Sequence, residues 1–172
     1  MAAPQKNVNK ADINSRPDAA DGLPLDIMGL FFFAYRDFTG DADALLDRQG
    51  FGRAHHRVLY FVNLRPGMAV ADLLDILRIT KQSLARVLRQ LIDNGYIEQR
   101  TGKADRRQRL LYATEKGRQF FASLSVSQAT RIDAAIASLP PESRRVVTRF
   151  LVNMVEPNDR QVLDRLNLTS GL

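Results

Sequence analysis

The 172-residue chain contains no cysteine. That excludes disulfides, thiolate metal sites, a cysteine nucleophile and thiol-based redox sensing. Histidine is nearly as scarce. The two present, His55 and His56, are adjacent, and neighbouring helical positions point about 100° apart, so they do not readily chelate one metal. No other ligand spacing suggests an ion, and neither a metal nor a cofactor is expected. Long apolar runs are also missing. The longest cluster, Leu30 to Tyr35, falls far short of the ~20 residues needed to cross a bilayer. Residues 1–24 hold no apolar run of the secretory type. These absences point to a soluble cytoplasmic protein without membrane association. No nucleophile elbow and no phosphate-binding glycine loop is found, so no enzyme is expected. There is no internal repeat.

What is present suits a packed domain with extensions: 45% of residues are hydrophobic and 26% charged. The net charge of +6 comes from 25 basic and 19 acidic residues. Its placement is uneven. Between Lys81 and Arg118 lie ten basic and four acidic residues, which is the whole excess; the remainder balances at 15 against 15. Concentrated positive charge on a near-neutral body is the footprint of a polyanion site, although most charge runs are merely solvated faces.

Along the chain, residues 1–23 lack periodicity and predict a flexible arm. Residues 24–52 are expected to form an N-terminal helical region. Within it Met28, Phe31, Phe32, Tyr35 and Phe38 recur at helical spacing, and Leu30, Phe33 and Ala34 make a second apolar face. A helix apolar nearly all round is expected to be buried on two sides, the second belonging to a partner subunit. A compact lobe is expected over 53–118. It begins with a helix from Arg53 to Leu64, stopped by Arg65-Pro66-Gly67. A short helix on Val70, Leu73, Leu74 and Leu77 follows, then a tight turn at Arg78 and Ile79. Thr80 caps the next helix, which stops at Asn94-Gly95. Strands are predicted at Ile97 to Arg100 and Gln108 to Tyr112. Thr114 caps a long helix reaching about Leu139. Pro141 suits the first turn of the helix carrying Val146, Val147, Phe150, Leu151 and Met154. Two helices thus span 119–156, and 157–172 form a tail whose residues 162–168 are loosely attached.

Helix, tight turn, capped helix and hairpin make a winged helix-turn-helix. In the capped helix Leu84, Val87, Leu88 and Leu91 face inward. That leaves Lys81, Gln82, Ser83, Arg86, Arg89 and Gln90 outside. Gln pairs with adenine and Arg with guanine in the major groove, while Lys81 and Ser83 suit phosphates at the helix start. An ordinary amphipathic helix would show the same stripe. The hairpin tilts the balance, because its loop gathers Lys103, Arg106 and Arg107, with Arg100 and Arg109 at its base. Asp105 is expected to pair with the Arg107 or Arg109 side chain and stiffen the tip for a narrow minor groove.

The stretch from Val70 to Gly117 resembles the MarR family of bacterial winged-helix regulators. The resemblance rests on ITKQSLARVLRQLIDNGYIEQR, on Asp105-Arg106-Arg107, and on Ala113-Thr114-Glu115-Lys116-Gly117, where Ala113 replaces a common Leu. It implies a mainly α fold with long N- and C-terminal dimerisation helices, and a homodimer. It also implies a double-stranded, pseudo-palindromic operator and repression. The wing Asp, here Asp105, would orient Arg107 into the minor groove. Release by a small aromatic or anionic effector is common in such proteins.

Other uses of the same features are open. His55, on the apolar face, is either a packed, hydrogen-bonded side chain or part of an effector crevice or pH sensor, with His56 nearer the polar side. The aromatic stripe is core, dimer interface or effector lining, the last with Tyr35, His55 and Arg57. Two alternative functions compete with the sequence-specific repressor. One is a winged-helix module binding an acidic protein; the other is a non-specific architectural DNA binder.

Overall fold

The computed structural model describes residues 22–102 and 105–170. The expected flexible arm lies almost wholly outside them, as does Lys103. The chain divides into two units, residues 1–36 and 37–172. Helix α1, Leu25–Asp47, begins in the first and ends in the second.

In the first unit the helical spacing is as predicted, and its apolar side chains are exposed on the single chain. Leu30 is 64%, Phe32 74% and Phe33 59% exposed. The Arg36 guanidinium sits 4.8 Å over the Phe33 ring. The buried residues of α1 are instead Thr39, Ala42 and Leu46, in the second unit.

The second unit continues with α2 (Arg53–Leu64), β1 (Met68–Ala69), α3 (Val70–Leu77), α4 (Lys81–Asp93), β2 (Ile97–Thr101), β3 (Arg109–Ala113), α5 (Glu115–Ala137) and α6 (Ser143–Met154). A 3-10 turn, Pro157–Asp159, leads into α7, Arg160–Arg165. Most of these bounds lie within two residues of the sequence reading. Pro141, expected inside α6, stands before it in the turn that Ser143 closes with a 2.9 Å bond to the Pro140 carbonyl.

The core is built mainly from leucines contributed by several elements. Leu46, Leu59, Leu73, Leu84, Leu91, Leu111 and Leu124, with Ile97, are fully buried, each contributing about 1.5–3 kcal/mol by removal from water. The sheet has the order β1-β3-β2 and is antiparallel. β1 is an addition to the sequence reading. Met68 and Ala69 pair with Leu111 and Leu110, and two residues are too few to display alternation.

The exit from the hairpin explains why threonine and glycine stand where they do. Thr114 accepts the Gly117 amide at 3.0 Å and donates its hydroxyl to the Gly95 carbonyl at 2.7 Å. Gly117 lies so close to the chain at Tyr96 that an added Cβ would fall 2.0 Å from the Tyr96 carbonyl oxygen. Lys116 reaches the Asn94 carbonyl at 2.9 Å, its Nζ 4.4 Å above the Tyr96 ring.

The end of the chain departs from expectation. Residues 162–168 are not loosely attached: Leu166 is 7% exposed and belongs to the core, with Val162 and Leu168 packed on it. Arg165 pairs with Asp75 of α3 at 3.2 Å, and Arg78 pairs with Asp159. Arg65 donates to the Arg165 carbonyl. The reading as a tail missed this because four apolar residues in a polar stretch look the same whether docked or frayed.

Candidate nucleic-acid interface

The turn between α3 and α4 is set by backbone chemistry. Arg78 ends α3 in the left-handed region, φ 50°, a conformation that L side chains adopt at a cost of roughly 1–2 kcal/mol. Two contacts hold it there. Arg57 of α2 donates to the Leu77 carbonyl at 2.8 Å, satisfying one of the orphan acceptors at the helix end. The Arg78 guanidinium is gripped by Asp159. Thr80 then caps α4, accepting the Ser83 amide at 3.1 Å and donating its hydroxyl to Ser83 Oγ at 2.9 Å.

Leu84, Val87, Leu88 and Leu91 seat α4 inward as predicted. Gln82, Arg86 and Arg89, spaced by four and three, form its outermost line, and all three are exposed. With Ser83 and Ala85 they line a shallow concavity of about 400 Å³. A second cleft, of about 410 Å³, runs between α4 and the hairpin and includes Lys81, Arg89, Gln99 and Arg109. Arg89 borders both, so the outer line of α4 and the base of the wing form one continuous basic surface.

Two of the expected site residues are otherwise engaged. Gln90 turns sideways to α2, where its Oε1 lies 2.8 Å from His55 Nε2. It sits one step round the helix from the outer line, and the nearest polar partner takes it. Asp105 does not pair with the Arg107 or Arg109 guanidinium. Its Oδ1 accepts the Arg107 backbone amide at 2.8 Å, while Arg109 donates to Thr101 Oγ1 at 2.8 Å. The tip is therefore shaped by an Asx turn, closed by Gly102 and Gln108 bonded at 3.0 Å. Arg106 and Arg107 are exposed beside it.

Gln99 is a cleft residue that the sequence reading passed over. The alternation contained the signal. Ile97 and Gln99 share a strand face, and the register pairs Gln99 with Leu111 and Thr101 with Arg109. The face that buries Ile97 and Leu111 therefore carries Gln99 and Arg109 past the core edge toward α4. Arg100 points to the other face, paired with Glu98 and 4.5 Å from the Tyr112 ring centre.

Neither histidine lies in a metal cluster; among the described residues no group of three or more His, Asp or Glu side chains is placed to hold an ion. His55 is buried and stacked on Phe51, ring centres 4.6 Å apart. Burial lowers the pKa of half-buried His56, partly offset by Asp43. A lowered folded-state value means the unfolded chain takes the proton first. Stability is thus undiminished above the free imidazole value of about 6.5 and falls as pH drops below it, until folded His56 is itself protonated. His56→Gln is expected to shrink the acid-side loss between pH 7.5 and 5 in urea midpoints, a loss that wild type retains.

No helix among the described residues is long and apolar enough to cross a membrane. Comparison with known proteins agrees with the geometry. A sequence profile described as "MarR family" matches residues 49–108. The HTH-type transcriptional regulator PetP of Rhodobacter capsulatus is 45% identical over 130 residues, 76% of this chain and 78% of PetP. A MarR transcriptional regulator of Methanosarcina mazei superposes with a TM-score of 0.60 at 24% identity, covering 76% of this chain and 94% of that one. The transcriptional repressor CouR, solved on a 23-mer DNA duplex, gives 0.60 at 22% identity, covering 83% and 100%. By this profile and by its likeness to PetP the chain belongs to the MarR family, as a winged helix-turn-helix transcriptional regulator and not an enzyme.

Proposed function

We propose that the protein is a homodimeric repressor that reads a pseudo-palindromic operator in the cytoplasm. α4 lies in the major groove and the wing tip in the adjacent minor groove. The observation that carries this is the shared basic surface: Arg89 borders both the open face of α4 and the cleft it forms with Gln99 and Arg109 of the wing. Gln82, Arg86 and Arg89 are the base readers. Lys81, Ser83 and Arg106 hold phosphates, and Arg107, shaped by Asp105, enters the minor groove. Lys103 adds sequence-independent attraction from the same loop. CouR on its duplex and a mutant of Staphylococcus aureus MepR bound to an oligodeoxyribonucleotide support DNA as the partner of this fold.

Dimerisation is supported by the exposed apolar residues at both ends of the chain, Leu30, Phe32 and Phe33 in α1 and Val146, Leu151 and Met154 in α6. Such density of exposed large side chains is characteristic of an interface. A small aromatic or anionic effector that releases the DNA completes the proposal, by analogy with the family.

Gel retardation on a duplex selected from a random library tests the assignment. Arg86→Ala is expected to cost about 1–3 kcal/mol and to relax preference at one base position. Affinity of the wild type should fall steeply with salt as phosphate counterions are released. An Arg86→Ala protein with unchanged affinity and preference would remove the readout assignment. Absence of any retardation at low salt would favour an acidic protein partner instead.

A further inference from the structure

The recognition helix is seated almost entirely by apolar contacts. Leucine and valine rows fix how deeply α4 sits, but such contacts are non-directional and resist rotation about the helix axis weakly. Among the described residues, one side-chain hydrogen bond ties the span Lys81–Asp93 to another element of the lobe: Gln90 Oε1 to His55 Nε2, 2.8 Å; the Lys116 bond falls on Asn94, just past the last turn.

The other end of that imidazole is also occupied. His55 Nδ1 accepts the Gly52 amide at 3.1 Å, and the His55 amide returns to the Gly52 carbonyl at 2.9 Å. An acceptor at Nδ1 leaves the proton on Nε2, so the ring is neutral and donates to Gln90. The Phe51 ring, inclined by 14°, fixes the plane. The ring thus joins the start of α2 to α4 with both nitrogens used and its orientation locked. Gln90 lies one residue after Arg89 and one turn after Arg86, so any rotation at Gln90 carries both arginines with it.

We propose that the His55–Gln90 bond is a tether that sets the rotation of α4, making His55 a positioning residue for base reading and Gln90 its anchor rather than a reader. This rests on the DNA-binding reading above. His55 thereby has a use distinct from an effector crevice or a metal.

Two substitutions separate the tether from the ordinary capping role of the same ring. In His55→Asn the short amide oxygen can take the place of Nδ1 and keep the Gly52 bond, but nothing reaches Gln90. In His55→Gln the longer amide nitrogen takes the place of Nε2 and keeps the bond to Gln90, while the cap is lost. Each full-length variant, with Gln90→Ala and the His55→Asn/Gln90→Ala double, is titrated on the duplex selected by wild type and on a scrambled duplex of equal length. Urea unfolding and the imidazole N–H resonance are followed in parallel. His55→Asn and Gln90→Ala are expected to lose about three- to tenfold on the selected duplex, the worth of one hydrogen bond, and nothing on the scrambled one. The double variant is expected to be no worse than either single. His55→Gln is expected to keep discrimination even where its urea midpoint drops. In wild type the Nε2–H resonance is expected to be protected from exchange, and exposed in Gln90→Ala. Unchanged discrimination in His55→Asn, or additive losses in the double variant, would overturn the tether. A Gln90→Ala loss confined to a single base position with His55→Asn silent would make Gln90 a reader and also overturn it. A wild-type protein that retards no duplex would instead overturn the DNA-binding reading.

Discussion

Replacing Gly117 by alanine is expected to destabilise the lobe by about 3–4 kcal/mol, because the overlap is with backbone that has nowhere to go. The new Cβ would meet the Tyr96 carbonyl oxygen at 2.0 Å and its carbon at 3.0 Å. That same oxygen accepts the Thr114 amide at 3.1 Å and lies 3.2 Å from the Thr114 hydroxyl oxygen. Relieving the clash therefore pulls the first turn of α5 away from its cap and from the end of α4. Gly95→Ala supplies the control. Its φ of 73° is strained for alanine, but nothing lies within 4 Å, so the cost should be about 1–2 kcal/mol from the left-handed backbone alone. Urea unfolding followed by circular dichroism would compare them. Equal midpoints for the two variants would mean that the close approach at Tyr96 is not maintained in solution.

Leu166→Ala is expected to cost about 2–4 kcal/mol, the usual penalty for emptying a buried leucine site. At 7% exposure the side chain is nearly as enclosed as those of the central helices. Leu166→Met, which preserves volume, should cost less than about 1.5 kcal/mol. The ion pairs nearby contribute little by comparison. Arg165 and Asp75 are 57% and 64% exposed, and solvent screening leaves such pairs at about 0–1 kcal/mol. Asp75→Asn should therefore barely move the midpoint. An unfolding curve for Leu166→Ala that overlays wild type would show the end of the chain fraying from the lobe.

Much of the lobe was legible because its residues obey local rules. Thr80 and Thr114 stand at helix starts and cap them; Gly67 and Gly95 stand at positive φ and end elements. The leucine spacing of α4 named its buried side without error. What escaped depended on partners far off in the chain. Gln90 is polar at a polar position, and only the arrival of His55, 35 residues earlier, turns it from the outer line. Asp105 has a backbone amide two residues away, which competes on better entropic terms than a long, mobile guanidinium. The short strand at Met68 exists only because β3 offers an edge to pair with. Leu166 is buried because α2 and α3 leave a trough there, bordered by Phe61 and Ile76, which no periodicity in residues 157–168 records. The candidate DNA-contacting residues were accessible to sequence in kind, since charge and amide type are composition; their division into readers, anchor and turn-former required distances.

The pairing of Met68 and Ala69 with β3 makes that strand the middle one of three rather than half of an isolated ribbon. Both strands of the basic hairpin thus leave from a fixed platform, and only the few residues beyond the Thr101–Arg109 pair lie past the last rung. A change of charge there, at Arg106 for instance, should therefore leave undisturbed the foundations on which the rest of the lobe stands.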